Sequence, residues 1–307
     1  MNYHPRIETN KAASFLTTRS RNSELWFVNN DSLEQAILGY VAKFGQRYSV
    51  VLHAIAIEGN HIQMAAQFPL LNRSNFMRDL NSCVARAIPR FVKQYPGGSF
   101  WGRRYSAEVV PFEDIEKQFF YTVLQTVQDG LVERISDYPG YNCFHDAVYG
   151  IKRKFPVINW TAFNNARRHG AQVALKDFIE EFELEFARVP GYEGLEQKEY
   201  AKLMHKKLEE KRVEAIKERG IKGFVGREKL LRTVPGQIPK NTKRSQRYSF
   251  RPRVLSSCPE RRKFWLGWYF GKISDHREAS QKYRNGDLLC EFPEGMYKPY
   301  LRPPPPK

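Results

Sequence analysis

The sequence predicts an α+β fold whose first half mixes strands and helices and whose second half is basic and mainly helical. Two observations predict it: the hydrophobic period alternates between two and 3.6 in residues 1–145, and charged, helix-like patterns follow. A chain of 307 residues, 41% hydrophobic and 27% charged, is long enough for about two folded domains. We therefore expect one domain over residues 1–145 and a second over residues 146–307.

The first half predicts the order β-α-β-β-α-β with a closing helix. Its segments are a strand at 15–18, a helix at 33–44 capped by Asp31 or Ser32, strands at 48–57 and 61–68 joined by a Gly-Asn turn, a helix at 74–95, a strand at 100–110 and a helix at 113–128. This order matches the split βαβ, ferredoxin-like pattern.

The second half carries nearly all of the net charge of +17. Residues 1–150 hold 15 basic and 14 acidic side chains, whereas the rest of the chain holds the other 35 and 19. Helices are predicted at 163–187 and 197–219. A domain-sized segment with this charge is typical of a protein that binds a polyanion, and nucleic acid is the leading partner. A surface charged only for solubility is the alternative.

One basic run fits phosphate contacts better than the charged helices do. It contains no acidic residue, and its cations are Lys240, Lys243, Arg244, Arg247, Arg251 and Arg253. Tyr248 and Phe250 lie between them and could stack on single-stranded bases. A flexible basic linker would have the same composition. The aromatic run at 264–270 is assigned to the core.

Other protein classes do not fit the sequence. No run approaches 18 consecutive apolar residues, and residues 1–10 lack a basic-then-apolar leader, so we expect a cytoplasmic protein with no membrane partner. The four cysteines are far apart and form no Cys-x-x-Cys pair, which argues against a zinc ribbon and against a disulfide scaffold.

Two side chains that can bind a metal share one face of a predicted strand. Strand alternation sends His61 and Gln63 to one face and Ile62 to the other, where it anchors the strand in the core. Taken alone, this pair is more often an ordinary polar surface pair than a ligand pair.

A second element adds a nucleophile. Tyr121 and Gln125 are four residues apart in the predicted helix at 113–128, so both side chains lie on one face. Tyr121 could attack a phosphorus atom, and the Gln125 amide could complete a divalent metal site with His61 and Gln63. A core tyrosine with its hydroxyl at the rim would show the same spacing, so the residues alone leave both interpretations open.

Four motifs together resemble a known family. They are Asn60-His61-Ile62-Gln63, Phe100-Trp101-Gly102-Arg103-Arg104-Tyr105, Tyr121 followed nine residues later by Gly130-Leu131-Val132, and the turn Tyr138-Pro139. In order and spacing they look like the single-tyrosine transposases of the HUH endonuclease superfamily, in particular the REP-associated type. The resemblance covers residues 12–145. Farther on, Phe292-Pro293-Glu294-Gly295 is similar to the C-terminal extensions of longer members.

The resemblance implies cleavage and rejoining of single-stranded DNA beside a hairpin. It makes Tyr121 the nucleophile, which would form a 5′-phosphotyrosine link, and it places His61, Gln63 and Gln125 at the ligand positions for Mg²⁺ or Mn²⁺. Arg103, Arg104 and the basic run at 240–253 are the expected phosphate contacts. The protein would act as a monomer or a homodimer.

The chain departs from the family pattern at two places. Gln63 stands where the family usually has a second His, and Gln125-Thr126 stands where REP-associated members tend to have Asn-Pro. A Gln oxygen suits Mg²⁺ but binds softer ions less tightly than imidazole does. A hairpin-DNA-binding protein that has lost cleavage is therefore an alternative function. An RNA-binding ferredoxin-like module, which would use exposed sheet aromatics, is another.

Overall fold

A computed structural model describes residues 6–239 and 253–300. The strands are β1 (Ala13–Arg19), β2 (Val51–Glu58), β3 (His61–Gln67), β4 (Ser106–Val110), β5 (Arg153–Ile158) and β6 (Ile179–Leu184). The α-helices are α1 (Asp31–Arg47), α2 (Arg73–Phe91), α3 (Ile115–Val123), α4 (Gln125–Gln128), α5 (Phe144–Tyr149), α6 (Trp160–Arg168), α7 (Gln197–Arg219), α8 (Arg227–Leu231) and α9 (Pro259–Arg284). The helices of these residues include none that is both long and apolar enough to cross a membrane.

The first four strands form one antiparallel sheet in the order β2-β3-β1-β4. With α1 between β1 and β2, and α2 between β3 and β4, this is the split βαβ topology that the sequence predicts. The predicted Gly-Asn turn joins β2 to β3 and pairs Glu58 with His61. The predicted α+β fold class is confirmed.

The two faces of the sheet carry different side chains because strand residues alternate. Ser14 faces α2, whose Arg73 donates a hydrogen bond to the Ser14 hydroxyl at 3.0 Å. Phe15 points the opposite way and packs against Tyr121 of α3, with ring centroids 5.6 Å apart. The face under α3 is rich in buried alanine, namely Ala13, Ala54, Ala56 and Ala65. These small side chains let α3 lie close against β2 and β3.

Three local predictions differ from the structure. The N-cap of α1 is Asn30, whose side chain accepts a hydrogen bond from the Leu33 N–H, and neither Asp31 nor Ser32 caps the helix. The closing helix is interrupted at Leu124, which separates α3 from α4. The helix predicted at 163–187 is wrong beyond residue 168, since the segment continues into strand β6.

Strands β5 and β6 form a ribbon that packs on α1. Phe155 and Val157 join the same buried core cluster as the sheet, as do Tyr200 and Met204 of α7, which begins and ends as predicted. One core therefore extends across residue 145. The division of labour between residues 1–145 and 146–307 stays a prediction.

The aromatic run at 264–270 lies on α9 and is only partly core. Trp265 and Tyr269 are buried, whereas Phe264 and Phe270 are 67% and 53% exposed. The expectation that the whole run is core is therefore wrong for two of its rings, because a surface helix buries one stripe.

The segment before α9 is fixed to the first half of the chain at two places, strand β4 and the N-terminus of α3. Val254 lies parallel to Val109 of β4, and two backbone hydrogen bonds join these segments. Asp114, at the N-terminus of α3, accepts hydrogen bonds from Ser256, Ser257 and Arg261 at 2.7–2.9 Å. Burial alone would raise the pKa of Asp114, but these donors outweigh burial and lower it to about 2. This carboxylate holds the start of α9 against the N-terminus of α3.

We expect Asp114→Asn to lower the free energy of unfolding by about 2.5 kcal/mol at pH 7, which corresponds to a carboxyl pKa lowered from 3.8 to about 2. Because the folded-state pKa is depressed, this contribution is present above about pH 3.8 and is lost as the pH falls toward 2. Urea denaturation at pH 7, 4 and 2.5 measures it, and the difference between the two proteins should shrink with acid. Glu113→Gln is the control, since Glu113 is 64% exposed and lies 3.7 Å from the same arginine. A loss no larger than that of the control contradicts the anchor.

Candidate active site

The hairpin of β2 and β3 places His61 and Gln63 on the sheet face that α3 covers. His61 pairs with Glu58 of β2 on one side and with Arg19 of β1 on the other. Gln63 lies between Ala56 and Thr17, whose small side chains leave the amide room. The shared face predicted from strand alternation is therefore present.

His61 is held in one orientation by two hydrogen bonds. Its Nδ1 lies 2.7 Å from the Asn60 Oδ1, and its Nε2 lies 2.7 Å from the Gln125 Nε2. An N–H on Nδ1 that donates to Asn60 leaves the Nε2 lone pair facing Gln125. Burial, together with the nearby Arg19 charge, lowers the pKa of His61 to about 3, so the ring is neutral at pH 7. A neutral imidazole whose far N–H is anchored is the form that binds metals.

Three buried oxygen atoms around this histidine have no hydrogen-bond partner among the described residues. They are Oε1 of Gln63, Oε1 of Gln125 and Oε1 of Glu58. Buried acceptors without donors cost free energy, so such a group of oxygens calls for a ligand. Amide and carboxylate oxygens beside an imidazole are ligands that suit Mg²⁺ and Mn²⁺.

The donor set fits a hard divalent cation, although it is unlike a typical zinc site. In the described part of the chain, no group of three or more His, Cys, Asp or Glu side chains is placed to hold a metal. The candidate ligands are one imidazole and two amides, with one carboxylate beside them. Glu58 Oε2 lies 3.9 Å from His61 Nε2, so its carboxyl group can supply a negative ligand when it loses its proton.

Tyr121 lies at the open edge of the same face and is 41% exposed. Burial of the hydroxyl raises its pKa, the charges of Asp129 and Glu58 raise it further, and Arg19 opposes them. The core interpretation of this tyrosine therefore does not hold, because a core ring would be covered. Gln125 is buried, and the interruption at Leu124 separates the two residues without removing either from the site.

The sequence prediction missed two charged residues of this site. Arg19 is half-buried between the charges of Asp129 and Glu58, and desolvation lowers its pKa. Burial and the charge of Asp129 raise the pKa of Glu58 to about 8. The two-residue Gly-Asn turn does predict that Glu58 lies beside His61, since a turn of this length pairs residues 58 and 61. No local pattern places Arg19, because β1 meets β3 only through a distant pairing.

The predicted DNA-contact residues fall into three groups. Arg103 and Arg104 are exposed beside Trp101, and the field of Arg103 reaches Arg19. Arg253 is partly buried, with its guanidinium 6.0 Å from the Tyr269 ring centroid. The other predicted contacts lie outside the described residues, namely Lys240, Lys243, Arg244, Arg247 and Arg251.

Comparison with known proteins finds similar folds only among solved structures. No protein-family model matches the sequence, and no curated protein matches it. The chain is similar to a REP-associated tyrosine transposase bound to a REP hairpin, with a TM-score of 0.40 and 17% identity over 47% of this chain and 84% of that one. It is also similar to a candidate transposase from Deinococcus radiodurans R1, with a TM-score of 0.29 and 17% identity over 42% of this chain and 97% of that one. Since similarity at this level concerns the fold, we argue the function from this chain's own side chains.

Proposed function

We propose that this protein is a metal-dependent single-strand DNA endonuclease and strand transferase that uses Tyr121 as its nucleophile. The observation that carries the proposal is the exposed Tyr121 phenol on the sheet face that also holds the His61–Gln125 contact. A nucleophile, a cation-binding group of oxygens and a half-buried arginine on one face are the parts that phosphodiester transfer needs. The predicted family resemblance supports the same reaction.

A divalent cation would be held by His61, Gln63 and Gln125. Bound there, Mg²⁺ or Mn²⁺ would neutralise charge on the phosphate oxygens. The unpartnered Oε1 atoms of both glutamines support this assignment. Glu58 is mainly protonated at pH 7 because its pKa is raised to about 8, and it would supply the negative charge that three neutral ligands lack by releasing its proton when the cation binds. Its own unpartnered oxygen belongs to the same group of buried oxygens.

The residues of the chain divide the remaining work. Arg19 draws the scissile phosphate to the edge where Tyr121 is exposed, because it is the cation whose field reaches the phenol. The Tyr121 Oη forms a bond to phosphorus as the bond from phosphorus to the 3′ oxygen breaks. The phenol proton passes to water, and the leaving oxygen takes a proton from water, so a free 3′ hydroxyl and a 5′-phosphotyrosine remain. Rejoining reverses these bonds and needs no nucleotide cofactor.

DNA beside a hairpin is the proposed substrate. Arg103 and Arg104 are exposed, and Arg103 is close enough to Arg19 for its positive charge to lower the pKa of Arg19. The basic run at 240–253 supplies further cations for phosphate contacts. A face used for RNA by stacking would display its aromatic residues, whereas Phe15 of this face is 6% exposed beneath Tyr121.

Labelled hairpin DNA with single-stranded flanks tests the proposal. We expect a covalent protein–DNA adduct on denaturing gels in Mg²⁺ or Mn²⁺, with the DNA attached to the peptide that contains Tyr121 by mass spectrometry. Chelation should prevent the adduct. Tight binding without an adduct in either ion contradicts cleavage and leaves the hairpin-DNA-binding alternative, in which Gln63 has spoiled the metal site. Preference for RNA of the same sequence contradicts both.

A further inference from the structure

A charged groove lies on the opposite side of the sheet from Tyr121. It has a volume of about 550 Å³ and runs between α1, α2 and the corner that joins β5 to α6. The α1–α2 pair covers the sheet face of Ser14, whereas Tyr121 lies over the face of Phe15. We call this cavity the helical-face groove. The β5–α6 wall lies beyond residue 145, where the family resemblance does not extend.

Four cations line the helical-face groove, namely Lys43, Arg47, Arg86 and Arg90. The first two belong to α1 and the last two to α2, and each pair is four residues apart, a rise of about 6 Å. The helices are antiparallel, since Asn30 at the start of α1 bonds the Phe91 carbonyl at the end of α2. The cations therefore extend along the groove instead of meeting at one point.

The groove has a strong excess of positive charge. Its lining carboxylate, Asp79, already accepts hydrogen bonds from Tyr48 and Arg78 at 2.5 and 2.8 Å. Lys43 is paired with Glu180 at 2.7 Å, and Arg47 lies 4.0 Å from Asp79. The ion pairs found among the described residues include none with Arg86 or Arg90. These two exposed guanidinium groups keep their charge available for a partner.

Aromatic and neutral polar side chains complete the lining. The Arg90 guanidinium lies over one face of the Trp160 ring, 4.2 Å from the ring centroid. Thr161 and Asn164 add neutral polar groups on the same wall. Spaced guanidinium groups beside an aromatic ring suit a phosphodiester strand, because guanidinium binds phosphate oxygens in pairs and a base can stack on the ring.

We infer that the helical-face groove binds the phosphate backbone of DNA that extends beyond the sheet face where Tyr121 lies. The inference rests on the proposed function, since that function supplies the DNA. A strand that occupies both surfaces must pass around a sheet layer and a helix layer, each about 10 Å thick. Long DNA should therefore use the groove, and short DNA should not.

The double variant Arg86→Gln/Arg90→Gln in the full chain tests the inference. Fluorescence anisotropy in EDTA measures binding without cleavage, and we expect affinity for long hairpin DNA to fall at least about tenfold. The slope of log affinity against log salt should decrease by about 1.4–1.8 for two lost phosphate contacts. An oligonucleotide of about 6 nucleotides, near the smaller single-strand site sizes, should show no change.

Lys198→Gln/Lys202→Gln is the matched control, since both lysines are exposed on α7 with the same spacing and the same loss of charge. We expect this control to change DNA affinity less than about twofold and to leave the salt slope unchanged. Each phosphate contact that is truly lost should reduce the slope by about one. Equal losses in the two double variants, or equal losses with short and long DNA, overturn the inference. A polyglutamate peptide is the second probe. If its affinity falls in Arg86→Gln/Arg90→Gln while the affinity for DNA does not, the groove binds an acidic protein partner and the inference is overturned. Wild-type adduct yield at saturating DNA separates this result from failure of the proposed cleavage.

Discussion

Tyr121→Phe is expected to abolish the covalent protein–DNA adduct, a loss of at least about 10³-fold in cleavage rate, and to leave DNA affinity within about twofold. The substitution removes the attacking oxygen and keeps the ring that packs edge-on against Phe15. The fold should therefore be unchanged. Adduct formation on denaturing gels and binding by anisotropy give the two readouts on the same samples.

Tyr149→Phe is the matched control for this prediction. Tyr149 is 43% exposed, nearly the same as Tyr121, but its hydroxyl bonds His205, away from the site. Its loss should leave the adduct yield unchanged. An adduct that persists in Tyr121→Phe identifies another nucleophile, whereas an adduct lost in both variants points to an effect of general destabilisation.

The positions of His61, Gln63, Tyr121 and Gln125 could be predicted because each depends on short-range geometry. Strand alternation places two of them on one face, and the four-residue spacing predicted the other two on the same side. The helix is interrupted at Leu124, and only Tyr121 lies at the exposed edge. The contact between Gln125 and His61 then follows from the fold, and the two atoms lie 2.7 Å apart. The interruption at Leu124 was not predictable, since nothing in the local residues breaks the helical period there.

Strand β6 was not predictable for a different reason. Its residues are rich in glutamate, which is unfavourable in strands and common in helices. In the folded chain Glu180 pairs with Lys43 of α1 and Glu183 pairs with Lys152. These long-range ion pairs, together with buried Leu184 on α1's side of the ribbon, override the local preference.

Glu58→Gln is expected to weaken Mg²⁺ and Mn²⁺ binding at least about tenfold, because an amide cannot release a proton and become the negative ligand beside three neutral ones. The isosteric amide keeps the shape of the side chain. Without metal, the variant should be about as stable as the wild type at pH 7, since burial keeps Glu58 mainly protonated there and the amide is also neutral. Titration calorimetry measures the affinity directly, and the rise in melting temperature with added metal measures it through linkage.

Glu108→Gln separates a ligand from a bystander. Glu108 is a carboxyl group on the same sheet face, opposite Phe15 on β4, and burial raises its pKa to about 7. It lies beyond β1 from His61, so its loss should leave metal affinity unchanged. Equal metal binding by Glu58→Gln and wild type removes Glu58 from the site. In that case a chain with only an imidazole and two amides must draw the charge it needs from the DNA phosphate itself, and metal affinity should then rise when DNA is bound.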